Sequence, residues 1–487
     1  MGLTEQLQKY AASDMYPFHM PGHKRHGFKE SGSYVFPDPY SVDITEISGF
    51  DNLHHAEGIL KEAMEQAAKV YGSDKTYYLV NGSSCGVLSA IFAVTKCGGK
   101  LLLSRNCHLS AHHAVLLNRL EPEYVYPDCM DFFGISGEVR VDEIERILLE
   151  NREKAKRGED KRIEAVCIVS PTYEGMVSDV KRIAKVVHTF EIPLLVDEAH
   201  GAHLPFALRD GFFPESALSQ GADIVVQSLH KTLPSFTQTA LLHVQGELIE
   251  PGKIERYLRM FQSSSPSYVF MAGMELCIRY MDREGRDKMH QYEKRLFRFY
   301  KKMRQLKTLK VLEGGQKDPS KVVIATQMAK GLNGAILGKI LRERFHLEVE
   351  FCAPEYVLAM TSLMDTDEGF LRLEEALLAI DQELEDCGRD GDIKKILSCD
   401  IPPARQMISP AIALEEKEAC VPLEASEGRI SKEFVFLYPP GIPILTPGEQ
   451  ISKEILSHIV SWREAGLPVQ GLTDSKLSTI LTVACDG

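Results

Sequence analysis

The chain has 487 residues, 44% hydrophobic and 26% charged, the balance of an ordinary soluble globular protein with a large core and length for about three domains. Its formal net charge of −13 argues against nucleic acid or an anionic membrane as the main partner and leaves a basic small molecule open. Eleven cysteines are scattered without a CxxC pair, which suits buried thiols in a reducing compartment and gives no metal-ligand spacing.

The opening stretch MGLTEQLQKYAASDMYPF lacks the basic-then-apolar pattern of a signal peptide. The longest apolar runs, such as VLSAIFAV at 87–94, fall short of a membrane span, so the expected location is cytoplasmic. Residues 1–50, rich in Gly, Pro and His, read as an extended arm with short turns. The pattern HHAEGILKEAMEQAAKVYG reads as a helix over 54–71. Strands and helices then alternate: a strand at 77–80, a helix at 84–96, a strand at 100–104, a helix at 108–119 and a strand at 123–127. The run NREKAKRGEDKR at 151–162 reads as a charged, solvated connection. Buried-type strands follow at 165–170, 193–198, 223–228 and 239–244, the first two with a helix between them. Strands separated by helices imply an α/β domain with a mostly parallel central sheet. From about 309 the pattern changes to a strand, a helix at 334–345 and a helix at 369–387, a smaller α+β unit. Residues 400–450 are Pro-rich and less regular. The expected division is an arm at 1–50, a large domain at 51–308, a small domain at 309–395 and a C-terminal domain at 396–487.

Four segments carry chemistry. QSLHK at 227–231 follows the strand DIVVQ, and ligands of parallel sheets bind beyond the C-terminal strand ends. Lys231 there is either an imine-forming amine with a lowered pKa or a surface lysine after a strand. PLLVDEAHGAH at 193–203 enters apolar and emerges acidic at Asp197. Such an aspartate pairs with a protonated pyridine nitrogen, or serves as a turn or metal carboxylate. In NGSSCG at 81–86, Gly82, Ser83 and Ser84 either cradle a phosphate at a helix N-terminus or simply cap the helix. His108 in RNCHLS either lies flat on an aromatic ring or is structural. Together these supply a phosphate cup, a stacking group, a pyridine partner and an imine lysine, which is the set a pyridoxal 5'-phosphate (PLP) enzyme needs.

At this point the chain resembles the bacterial Orn/Lys/Arg decarboxylases, fold-type-I PLP enzymes of the aspartate aminotransferase-like class. The resemblance rests on PFHMPGHK at 17–24, DITE at 43–46, YLVNGSS at 78–84, RNCH at 105–108, SPTYEG at 170–175, VDEAHGAH at 196–203, SLHK at 228–231, SSSPSY at 263–268 and YPPGIPILTPGE at 438–449. It implies PLP-dependent decarboxylation of a basic amino acid, arginine ahead of lysine or ornithine. It also implies roles. Lys231 carries the cofactor as a Schiff base; Ser83, Ser84 and Ser228 hold its phosphate; Asp197 pairs with the pyridine nitrogen; His108 stacks on the ring; and His230 is an acid-base group. Ser263 or Ser264 reaches a neighbouring subunit's phosphate, which implies a homodimer or a small assembly of dimers. Glu424 falls where longer relatives place an acid near the substrate side chain, with Glu46 and Asp43 behind it. Two departures stand out. PGHK at 21–24 leaves no length before it for the N-terminal wing domain of the long members, so a ring assembly built on that wing is not expected. His200 stands where many members carry Trp, which adds a second protonatable group near the ring. The competing readings are another fold-type-I enzyme (an aminotransferase, aldolase or racemase), separable by product analysis, and a catalytically silent binding homologue, separable by a cofactor absorption band.

Overall fold

A computed structural model describes residues 2–30, 33–34, 36–130, 132–208, 211–329, 331–386, 401–464 and 466–484. A seven-stranded sheet organises the large domain: β1 Lys75–Leu79, β2 Lys100–Ser104, β3 Glu121–Val125, β4 Ile163–Val169, β5 Leu194–Asp197, β6 Ile224–Ser228 and β7 Ala240–Val244. The spatial order is β1-β7-β6-β5-β4-β2-β3. All neighbours run parallel except β7, which is antiparallel to both β6 and β1. The strands read as continuous apolar runs because both faces of the sheet are covered. Leu102, Val166, Ile168 and Val196 belong to one core, while Leu101, Leu103, Cys167 and Leu195, their alternating neighbours, belong to the other. Helices Gly82–Val94 and Pro251–Phe261 cover the second face.

Three expectations change. The arm begins with a helix, Leu3–Ala11, and its next strand, Tyr16–Phe18, pairs in parallel with Leu347–Val349 of the small domain. The helix expected from 54 starts instead at Ile59, after a 3-10 turn at Leu53–His55. Asp51 decides that start: its carboxylate accepts from the backbone N–H groups of Glu57, Gly58 and Leu60, which ends the loop there. The charged run at 151–162 is not wholly a connection, because its first half completes the helix Val141–Lys156. Ile144, Ile147 and Leu148 bury one face, and the charges face water, paired as Arg146 with Glu143 and Glu150 and Lys156 with Glu153.

The 36-residue helix Tyr268–Met303, capped by the Ser267 hydroxyl, joins the large domain to the small one. There, Lys310–Val311, Lys321–Ala325, Tyr356–Met360 and Phe351–Cys352 form an antiparallel sheet, with helices Gly334–Phe345 and Asp367–Asp386 beside it. The expected boundary at 395/396 lies outside the described residues. Beyond it a C-terminal unit has its own core, including Val435, Leu445, Ile455 and Trp462, under a three-stranded sheet and the helix Lys453–Glu464. Among the described residues no helix is long and apolar enough to cross a membrane.

Candidate active site

A cavity of about 360 Å³ opens beyond the C-terminal ends of β1, β2, β5 and β6. Local chain geometry puts each polar group on its rim. β1 ends at Leu79, and the helix Gly82–Val94 begins two residues after Val80. Gly82 takes φ +75, a conformation that glycine adopts without a Cβ penalty, and Asn81 makes no side-chain cap. The first-turn N–H groups, Ser83 and Ser84 therefore face the cavity rather than a cap. After β2, His108 caps the helix Leu109–Leu117: its Nδ1 accepts from Ser110 N (3.1 Å), so the proton of the neutral ring sits on Nε2. A Cβ on Gly441, at φ +83, would meet that Nε2 at 3.3 Å, so glycine lets the C-terminal unit approach the imidazole closely.

Asp197 terminates β5, buried, its Oδ1 accepting from Ala199 N at 3.1 Å. Burial raises its pKa, and the positive charge of Lys231 works against that rise. β6 runs into the short helix Leu229–Thr232, which delivers His230 and Lys231 to the cavity. Lys231 stays partly open to the cavity. The protein crowding its amine nonetheless lowers its pKa, opposed by Asp197 and Glu350. Its Nζ lies 3.0 Å from His200 Nε2. Burial keeps His200 well below the usual histidine range, and the Lys231 charge adds to this. Burial likewise brings His108 and His230 down to about 4. His230 Nδ1 is 2.9 Å from the Thr239 carbonyl, so Nδ1 is the donor and Nε2 is free to accept.

Of the expected residues, Gly82, Ser83, Ser84, His108, Asp197, His200, His230 and Lys231 line this one cavity. Ser228 sits beneath it at the end of β6, fully buried, its hydroxyl without a partner among the described residues. Ser263 and Ser264 are exposed on a separate surface loop, where Ser263 N donates to Asn81 Oδ1 at 3.3 Å. Glu424 is not brought to the cavity: it lies in the 3-10 turn Leu423–Ala425, 72% exposed, paired with Arg463 at 2.9 Å. Glu46 and Asp43 also lie off the cavity wall, and Asp43 is exposed.

The opposite wall was not anticipated as part of the site. Glu350 comes from the small domain, its two oxygens accepting from the Tyr173 hydroxyl and Met20 N, each at 2.8 Å. Tyr173 meets the His200 ring edge-to-face at 5.2 Å. Tyr438, Pro439, Pro440 and Ile442 close the cavity from the C-terminal unit. Two fully buried ion pairs anchor this wall. Arg105 Nη2 meets Glu449 at 3.1 Å and also donates to the Ile444 carbonyl, just past the proline loop. Lys321 Nζ meets Asp318 at 3.1 Å and donates to the His200 carbonyl at 3.4 Å. Met20, Tyr173 and the proline loop fall inside segments already singled out. Glu350, in the alternating LEVEF, carried only the signature of a strand with a solvated face.

The arrangement fits PLP. A helix N-terminus with two free serines, a buried hydroxyl without a partner, a buried strand-end carboxylate and a lysine of lowered pKa all converge on one cavity. Comparison with known proteins agrees. The model of the Orn/Lys/Arg decarboxylase major domain matches residues 2–317, and that of the family's C-terminal domain matches 404–473. The arginine decarboxylase of Bacillus subtilis (strain 168) is 32% identical over 98% of this chain and 96% of its own length. The lysine decarboxylase of Hafnia alvei is 23% identical over 96% of this chain and 75% of its own. The crystal structure of the Francisella novicida lysine decarboxylase LdcF superposes with a TM-score of 0.77 at 22% identity, covering 99% of this chain and 81% of that one, which shows a shared fold.

Proposed function

The chain belongs to the Orn/Lys/Arg decarboxylase family, and from that premise we propose that it decarboxylates a basic L-amino acid, arginine ahead of lysine or ornithine, using PLP held on Lys231. The observation that carries this reading is the convergence of Lys231, Asp197, His108 and Ser83–Ser84 on one cavity. Ser83, Ser84, Ser228 and the helix N-terminus would hold the phosphate, Asp197 would pair with the pyridine nitrogen and His108 would stack on the ring. When bound, the cofactor supplies an electron sink for the pair left at Cα as CO2 departs.

The protein's own groups do the rest. The depressed pKa of Lys231 keeps more of its amine neutral and nucleophilic. His200 Nε2, 3.0 Å away and held neutral, accepts a hydrogen bond from the Lys231 amine and orients it. Asp197, costly to bury as an anion, is stabilised by a cation placed against it. The wall formed by Tyr438, Pro439 and Pro440 excludes water from the reacting carbon. Proton return to Cα falls to Lys231 rather than His230, because His230 is held neutral down to about pH 4. Ser263 and Ser264, exposed and off the wall of their own cavity, are assigned by the family resemblance to the cavity of a second copy, which makes the proposed working unit a dimer or an assembly of dimers.

The test is borohydride reduction of the holoenzyme followed by peptide mapping, alongside CO2 release from arginine, lysine and ornithine. An adduct on Lys231 and release from at least one substrate are expected. An adduct on another lysine, or release from none of the three, overturns the reading.

A further inference from the structure

Behind the cavity lies a second, smaller chamber of about 60 Å³. Asn106, Thr172, Pro440 and Ile442 line both, so the two adjoin. The rest of the chamber wall is largely apolar, including Phe351, Leu437, Ile444 and Trp462, with one carboxylate, Glu174. A water-sized probe needs roughly 10–15 Å³, so the chamber takes about four to six such atoms, the scale of a side-chain end.

Glu174 is 6% exposed. Its oxygens accept from the Tyr356 hydroxyl at 2.8 Å and the Thr172 hydroxyl at 3.2 Å. Two neutral hydroxyls orient a carboxylate but do not neutralise it. Among the described residues no cation stands against Glu174. Burial pushes its pKa up, the expected result for a carboxylate taken from water without a counter-charge. A buried carboxylate is normally paired, so the missing partner points to a ligand.

Glu198 and Glu355 are also buried without a cation among the described residues, but neither lines the chamber, and the two acids considered for the substrate or facing the cavity are already engaged. Glu424 is exposed and already paired with Arg463. Both oxygens of Glu350 are engaged by Tyr173 and Met20, and its charge acts on Lys231. We infer that the small chamber receives the substrate side chain and that Glu174 pairs with its distal cation, the apolar wall packing the methylenes. This rests on the proposed decarboxylation of a basic amino acid and names the residue that selects the charge.

The experiment uses PLP-loaded wild-type and Glu174→Gln enzymes. KM is measured for arginine, lysine and ornithine, and inhibition constants for norleucine and citrulline, which are of similar length but uncharged. The cofactor absorbance reports that the site is intact. In Glu174→Gln the KM for the preferred substrate should rise on the order of 100-fold, as when one partner of a desolvated charge pair is truncated. The neutral inhibitors should change by less than about threefold, since they bring no charge to pair. An unchanged cation preference, or equal losses for charged and neutral ligands, overturns the assignment. Glu174→Asp keeps the charge on a shorter stem. It should retain cation preference while penalising ornithine more than arginine, and a loss without that length dependence also overturns it. CO2 release from none of the three by the wild-type enzyme defeats the decarboxylase reading instead, which keeps the two failures apart.

Discussion

The two walls of the cavity are built differently. The strand-end wall takes its groups from loops that immediately follow β1, β2, β5 and β6, so strand direction alone sends Ser83, His108, Asp197 and Lys231 to one edge. The facing wall takes Met20, Tyr173, Glu350 and Tyr438–Ile442 from the arm, the large domain, the small domain and the C-terminal unit. Nothing local holds those together. They are held by the pairing of Tyr16–Phe18 with Leu347–Val349, by the hydrogen bonds of Glu350 to Tyr173 and Met20, and by two ion pairs with no solvent exposure, Arg105–Glu449 and Lys321–Asp318. The proposed reacting groups sit on locally encoded elements, while enclosure of the cavity depends on long-range contacts.

Variants in each wall should separate chemistry from enclosure. Lys231→Ala, in the first wall, should abolish turnover and the borohydride adduct while the circular dichroism spectrum stays that of the folded chain. In the second wall, Glu449→Ala leaves the Arg105 guanidinium buried without its counter-charge. The expected loss is about 3–5 kcal/mol of stability, read as a lower denaturant midpoint. Replacing both partners together, Arg105→Met with Glu449→Leu, should recover much of it, because matched apolar side chains leave no unpaired charge. A double variant as unstable as Glu449→Ala would show that the anchor acts through something other than charge.

Back on the first wall, Asp197→Asn should keep the cofactor and lose turnover by about 3–4 kcal/mol in barrier, the size of a removed preorganised electrostatic contact. Near-normal kcat would remove Asp197 from that role. A smaller effect concerns pH. Burial holds His108 and His230 at about 4, so the charged forms appear only on acidification through that value. Neither ring should contribute a limb to the rate profile between roughly pH 5 and 8, where an ordinary histidine titrates. An acid limb near 6.5 that vanishes in His230→Asn would contradict this. The smallest effect is expected at Glu424→Gln. An exposed pair with Arg463, off both walls, should change KM by less than about twofold.

What the sequence by itself determined was the strand-end wall, and the reason is distance along the chain. Apolar runs ending in Asp197 or continuing into SLHK encode both a buried strand and what emerges from it, so element and functional group are read in one window. The same locality made the helix at 334–345 legible to the residue. It failed where a remote or non-periodic contact set the outcome, as when the Asp51 carboxylate moved a helix start to Ile59. Only the tertiary structure set the environments of the acids apart. Glu424 and Glu174 look alike as letters in an acidic chain. Folding leaves Glu424 at the surface against Arg463 and seals Glu174 behind Thr172 and Tyr356 without a cation. Burial and counter-charge arise from packing between remote segments, 182 residues apart for Glu174 and Tyr356 and 39 for Glu424 and Arg463, and no local pattern carries them.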